Sequence, residues 1–176
     1  MNINWVLANQ TVLDPLVDLE SIKTIGSTWG SWHTWRGCQT DNVICHNAEK
    51  AQELIQNSFH TLCNFYIPNF VYDTNRPTGV KSYIGEFDRY VANPEELVAM
   101  HLASTSSDLI LLLGFNLTEP TDTERDRLGL TYSIIKNTPN VQWVLLDHEG
   151  TTWSEITKLP NFSQDSLHKA LNMFLT

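Results

Sequence analysis

Residues 26–39, "GSTWGSWHTWRGCQ", gather three indoles, an imidazole and a guanidinium among small and hydroxyl-bearing side chains. Such a set suits a ligand with a flat face and a polar end. Trp29, Trp32 and Trp35 offer surfaces on which a base stacks, at about 1–3 kcal/mol per base. Arg36 and the hydroxyls of Ser27, Thr28, Ser31 and Thr34 can hold phosphate or ribose, and His33 stands beside Arg36. Gly26, Gly30 and Gly37 allow close backbone approaches, but their spacing matches neither the dinucleotide GxGxxG nor a phosphate loop. Two other readings stay open: a satellite core, or an interface in a homo-oligomer, because tryptophan is prominent in both settings.

A second group with chemical potential is "DHE" at 147–149, where Asp147, His148 and Glu149 follow an apolar run. Acid and base residues are often found after strands. Adjacent side chains diverge, however, and no GxSxG elbow accompanies these three, so a solvated loop is the favoured reading. Glu86, Asp88, Glu95 and Glu96 read as surface charge. Cys38, Cys45 and Cys63 are irregularly spaced, and neither a CxxC knuckle nor an HxxxH pair accompanies them or His46. Free thiols are therefore expected, with no metal and no cofactor. No catalytic residue can be assigned, and binding is favoured over catalysis.

These groups need a scaffold to position them. "SDLILLLGF" (107–115) and "VQWVLLDHEG" (141–150) read as strands buried on both faces, because they are short and almost wholly apolar. "NPEELVAMHLAST" precedes the first, with Asn93 as cap and Pro94 at the first helical position. "EPTDTERDRLGLTYSIIKNTPN" follows it as a helix capped by Thr/Asp, presenting Leu128, Tyr132 and Ile135 on one face and ending at Lys136. In the first half, "INWVLAN" and "DNVICHN" read as strands. "AEKAQELIQNSFHTLCNF" reads as a helix capped by Asn47, with Leu54, Ile55, Phe59, Leu62 and Phe65 at helical spacing. "NFVYD" and "VKSYIGEF" are strand candidates around the "TNRPTG" turn, as an edge hairpin or a loop over the site. "SQDSLHKALNMFL" closes the chain as an amphipathic helix.

Alternating helices and strands predict an α/β fold: a Rossmann-like three-layer sandwich with a mostly parallel sheet of about five strands. At 176 residues and 41% apolar composition, one domain spanning 1–176 is expected. In open α/β sheets ligands bind beyond the carboxyl ends of the strands. That rule selects Asn9 and Gln10, His46 and Asn47, Phe115 and Asn116, and Asp147, His148 and Glu149. The tryptophan segment is read as a long loop, with room for a strand inside it, at the same rim. The ligand-binding expectation is therefore Ser27, Thr28, Trp29, Trp32, His33, Trp35, Arg36, Asn116, Asp147 and His148 around one hollow.

The net charge of −9 and the absence of a basic stripe exclude a general nucleic-acid binder. No basic, apolar leader and no run of roughly 20 apolar residues is present, so a soluble cytoplasmic protein with no membrane partner is expected. The stretch "NWVLANQTVLDPLVDLESIKTIGSTWGSWHTWRGCQTDNVICH", with "NPEELVAMHLA" and "DLILLLGF", resembles an uncharacterised family of small early proteins of T4-like bacteriophages, named for an open reading frame near the phage DNA ligase gene. That resemblance covers most of the chain and implies a bacterial host cytoplasm and action during takeover of the cell. In that setting the leading expectation is a binding protein that sequesters a nucleotide-derived signal, such as a cyclic nucleotide or an NAD-derived messenger, to counter host defence. The alternatives are a nucleoside- or NAD-processing enzyme of N-glycosidase or deoxyribosyltransferase-like kind, and a protein inhibitor of a host enzyme.

Overall fold

The computed structural model describes residues 1–9, 11 and 19–175. Eight strands form one parallel sheet in the order β5-β4-β3-β2-β1-β6-β7-β8. Five of them fall on expected segments: β1 (Ile3–Leu7), β3 (Asn42–Ile44), β5 (Lys81–Tyr83), β6 (Leu109–Leu113) and β7 (Gln142–Leu146). The other three raise the count from about five to eight: β2 (Ser27–Ser31), β4 (Asn64–Pro68) and β8 (Phe162–Asp165).

Alternation along β1 and β6 explains the layers. Trp5, Leu7, Leu111 and Leu113 face one way, and Val6, Ala8, Ile110 and Leu112 the other. Both sets are buried, so the sheet needs cover on both sides. One side is covered by α5 (Glu95–Ser104), α6 (Arg125–Lys136) and the short α7 (Ser154–Thr157). The other carries α1 (Leu19–Ile25), α2 (Trp32–Trp35), α3 (Ala48–Gln56), α4 (Asn69–Asn75) and the closing α8 (Leu167–Leu175).

Several local expectations are revised. The strand for which the tryptophan segment left room is β2, and one turn of α2 follows it directly in place of a long loop, with the Ser31 hydroxyl accepting from the His33 and Thr34 N–H groups at the junction. Gly26 is required where the chain enters β2, because a Cβ there would lie 2.2 Å from the Ile3 carbonyl oxygen. The helix expected from Ala48 to Phe65 ends at Gln56, and Phe65 belongs to β4. "NFVYD" is helical in α4, and β5 pairs parallel to β4, which removes the hairpin alternative. Asn47 does cap α3, accepting from the Lys50 N–H at 2.8 Å. On α5 the cap position is Pro94, one residue later than expected.

The winding sets the location of the site. The chain begins with β1 in mid-sheet, steps outward through β2, β3 and β4 to β5, returns through α5 to β6 on the other side of β1, and steps outward again to β8. Connections leaving β1 and β6 therefore run in opposite directions and open a crevice between the two strand tips. Among the described residues, no helix is long and apolar enough to cross a membrane.

Candidate functional site

A hollow of about 280 Å³ lies at this switch point. Its apolar floor comes from Leu97, Phe115, Leu117 and Leu128, all buried. Its polar wall comes from Asn9 after β1, Asn93 and Glu96 at the start of α5, Asn116 after β6, and Glu124 and Arg127 at the start of α6. Helices that run antiparallel to the strands begin at the strands' carboxyl end, so α5 and α6 both aim their N-termini at the crevice.

The wall is tied together. The Asn9 backbone N–H donates to Glu96 Oε1 at 2.7 Å, and Glu96 Oε2 lies 3.6 Å from Arg127 Nη1. Arg127 Nη2 donates to the Asn93 carbonyl at 2.8 Å. Asn9 Oδ1 accepts from the Ser31 hydroxyl, which links the tip of β1 to that of β2. Gly114, with φ +78°, turns the chain out of β6. A Cβ on it would sit 2.3 Å from Thr11 Oγ1, so Thr11 packs directly against the β6 tip. Thr11 fastens this contact by donating from Oγ1 to the Leu113 carbonyl at 3.0 Å.

Of the ten residues expected to share a hollow, Asn116 lines this one. The others are engaged elsewhere. The Thr28 hydroxyl donates to Asp41 Oδ2 at 2.7 Å and accepts from the Asp41 N–H at 2.8 Å, while Ser27 Oγ accepts from Asn42 Nδ2. Trp29 is 7% exposed, and its Nε1–H donates to Asn4 Oδ1 at 2.9 Å inside the core beneath α5. Two cations, Arg36 and Lys50, lie over the Trp32 ring at 5.0 and 4.8 Å from its centre, with His33 against the same ring. Trp35 packs edge-on against Phe59, on the far side of the sheet from α5. The segment is thus a strand and a turn, and none of its three indoles lines the switch-point hollow.

Asp147 and His148 are at a strand tip as expected, but their polar atoms hold the fold. Asp147 Oδ1 accepts the Leu167 N–H at the start of α8. His148 Nε2 accepts the Leu117 N–H at 3.1 Å, and its Nδ1 lies 3.1 Å from Thr152 Oγ1, whose own proton goes to Gln164 Oε1. This pattern assigns the ring proton to Nδ1 and leaves neither nitrogen free for a ligand. Gln10 lies outside the described residues.

Four wall residues escaped the sequence reading as site residues: Asn93, Glu96, Glu124 and Arg127. The strand-tip rule selects outgoing loops, whereas the incoming N-termini of α5 and α6 occupy the same rim. Glu95, also expected on the surface, is 3% exposed, and its Oε2 has no partner among the described residues. It faces the β3 and β5 tips. Burial, and then the Glu95 charge, push the Cys45 thiol up to about 12 and the Tyr83 hydroxyl above its usual range. Tyr83 Oη in turn lies 3.0 Å from His46 Nδ1, and His46 Nε2 lies 3.8 Å from Asp88 Oδ2.

A second hollow of about 280 Å³, lined by Lys23, Trp35 and Asp41 among others, opens at the amino end of β3. Its carboxylate is already bonded by Thr28 and lies 3.6 Å from Lys23, and the amino ends of parallel strands are not where such sheets place ligands. Among the described residues no disulfide is formed, and no group of three or more His, Cys, Asp or Glu side chains is placed to hold a metal ion. In comparisons with known proteins, no family model, no curated protein and no solved structure matches this chain.

Proposed function

We propose that the protein is a small-molecule binder whose ligand is nucleotide-like and seats in the hollow between the tips of β1 and β6. The observation that carries this reading is convergence. At the switch point of a doubly wound sheet, an apolar floor is ringed by a guanidinium, two carboxylates and three Asn residues. Ligand sites commonly combine an apolar lining with a few oriented polar groups, in volumes of roughly 300–1,000 Å³. At about 280 Å³ the hollow has room for one nucleoside unit, so a cyclic dinucleotide would leave half of itself outside. In the phage setting that the sequence resemblance implies, such a protein acts by holding a nucleotide-derived messenger away from its host receptor.

Titration calorimetry tests this with cyclic mononucleotides, cyclic ADP-ribose isomers and nucleosides. The expected outcome is saturable one-to-one binding that Arg127→Ala weakens at least about tenfold. Trp32→Ala, remote from the hollow, should leave the affinity unchanged. Absence of heat with every compound removes the proposal.

One observation favours a second reading, cleavage of an N-glycosidic bond. Glu96 is held at the rim by the Asn9 N–H, where a bound ribose would lie within reach of a carboxylate. Chromatographic detection of a free base from NAD or a nucleoside, abolished by Glu96→Gln, would establish turnover in place of sequestration.

A further inference from the structure

We infer that His148 is a positioning residue that sets one wall of the hollow and releases it on acidification: a neutral ring holds the Leu117 N–H, and a protonated ring cannot. This is regulation of the site proposed above and rests on that reading, although the ring and the amide can be followed without a ligand.

The segment after β6 gives Phe115, Asn116 and Leu117 to the hollow. It is fastened by the chain that follows β7. The Leu117 carbonyl accepts from the Trp153 N–H at 2.7 Å, Thr118 and Thr152 form an isolated antiparallel bridge, and the Leu117 N–H donates to His148 Nε2 at 3.1 Å. Leu117 is buried, so solvent is a poor substitute for the ring as acceptor of that N–H.

A backbone N–H can only donate, so Nε2 is the bare nitrogen and a neutral ring carries its hydrogen on Nδ1. The other side of the ring agrees. Thr152 Oγ1 lies 3.1 Å from Nδ1 and spends its own proton on Gln164 Oε1 at 2.7 Å, which leaves its lone pairs for the ring. The bonds therefore run one way, from Leu117 through His148 and Thr152 to Gln164 on β8. A second proton, taken from solvent, can go only to Nε2. There it faces the Leu117 N–H, two donors oppose each other, and the bond breaks. Imidazole is the side chain whose ordinary change of charge falls between about pH 5 and 8.

Charged groups on the surrounding elements are engaged or turned to solvent. Asp147 Oδ1 accepts from the Leu167 N–H, Asp165 is bonded by Lys169 and the Ser166 N–H, Glu155 pairs with Lys158, and Glu119 and Glu149 are exposed. The ring's own two bonds decide the outcome.

Nuclear magnetic resonance on the isotope-labelled full chain reads the ring and the amide. At about pH 7.5 Nδ1 should carry the hydrogen, Nε2 should be bare, and the Leu117 amide should be protected from exchange. At about pH 5, with exchange referred to the unstructured rate at the same pH, that protection should fall at least about tenfold while the Leu112 amide in β6 keeps its own. In His148→Gln, whose Oε1 can accept the N–H at either pH, Leu117 protection should persist. Calorimetry with 3′,5′-cyclic AMP, cyclic ADP-ribose and adenosine then reads the site. A compound that binds should do so about fivefold or more weakly at the acid value in the parent, and equally at both values in His148→Gln. A hydrogen on Nε2 at about pH 7.5, a ring still neutral at about pH 5, or Leu117 protection that survives protonation or is lost equally in His148→Gln overturns the inference. Lost protection with unchanged affinity overturns the regulation of the site. If none of the three compounds binds at either pH, the proposed function falls with the regulation of its site, while the ring and amide measurements still decide whether His148 positions Leu117.

Discussion

Asp147 shows how a residue placed where catalysts are found can be held there by architecture. Its φ of 49° lies in the left-handed region, which Asp tolerates better than most side chains. Its Oδ1 accepts the Leu167 N–H at 3.0 Å, and its own N–H donates to the Asp165 carbonyl at 3.1 Å. The side chain thus fastens the start of α8 to the tip of β7. Asp147→Ala removes the cap and leaves a Cβ-bearing residue in the left-handed region, so a loss of about 1–3 kcal/mol is expected in urea unfolding. Asp147→Asn retains an acceptor and should lose less. Asp147→Gly relieves the backbone but not the missing bond, and should fall between. An Asp147→Ala variant as stable as the parent would show that the bond contributes nothing. Glu96 makes the converse point: in "PEE" it is indistinguishable from an exposed acidic first turn, and the Asn9 N–H brought to it by β1 turns it into a wall residue.

The elements most legible from the chain were those whose burial is two-sided or strictly periodic. "LILLL" and "QWVLL" cannot satisfy themselves except inside a covered sheet, and α5 and α6 announce themselves by acidic first turns and apolar faces. The three less legible strands fail those tests. β2, "STWGS", is buried through small and hydroxyl-bearing residues that bond Asp41 and Asn42. β4, "NFYIP", begins where an apolar spacing continues the period of α3, so the helix absorbs it on paper. β8, "FSQD", is an edge strand with two exposed residues and almost no apolar signal. The hollow depends on one such junction, the β6 tip. Gly114→Ala forces a side chain into φ +78° and against Thr11, so Thr11 must shift. A stability loss of about 1–3 kcal/mol is expected from such strain. Ligand affinity should fall with it, because the same shift moves Asn9, whose backbone orients Glu96. Unchanged affinity in a destabilised Gly114→Ala would separate the tip from the site.

At the scale of the whole molecule, the half of the sheet built from β3, β4 and β5 holds three weak acids in protonated form. Burial pushes the Cys45 and Cys63 thiols from 9.0 up to about 12, and it drives the Tyr83 hydroxyl upward as well, with Glu95 adding to the effect at Cys45 and Tyr83. Each group is neutral when protonated, and its folded value lies above its unfolded one. The stability linked to the thiols is therefore complete below about pH 9 and is lost as pH rises toward 12, because the unfolded chain releases protons that the folded chain retains. For a thiol as enclosed as Cys45 the slope approaches about 1.4 kcal/mol per pH unit. Cys63 is half-buried and contributes less, through solvent screening. The net charge of −9 grows more negative over the same range and adds self-repulsion. Urea midpoints measured from pH 7 to 11 should hold steady up to about 9 and then fall, and Cys45→Ala should flatten the descent even where its cavity lowers the plateau. A profile that stays level between pH 9 and 11 would mean that these groups ionise in the native state as readily as in the unfolded chain, and would remove burial as the force that keeps them protonated.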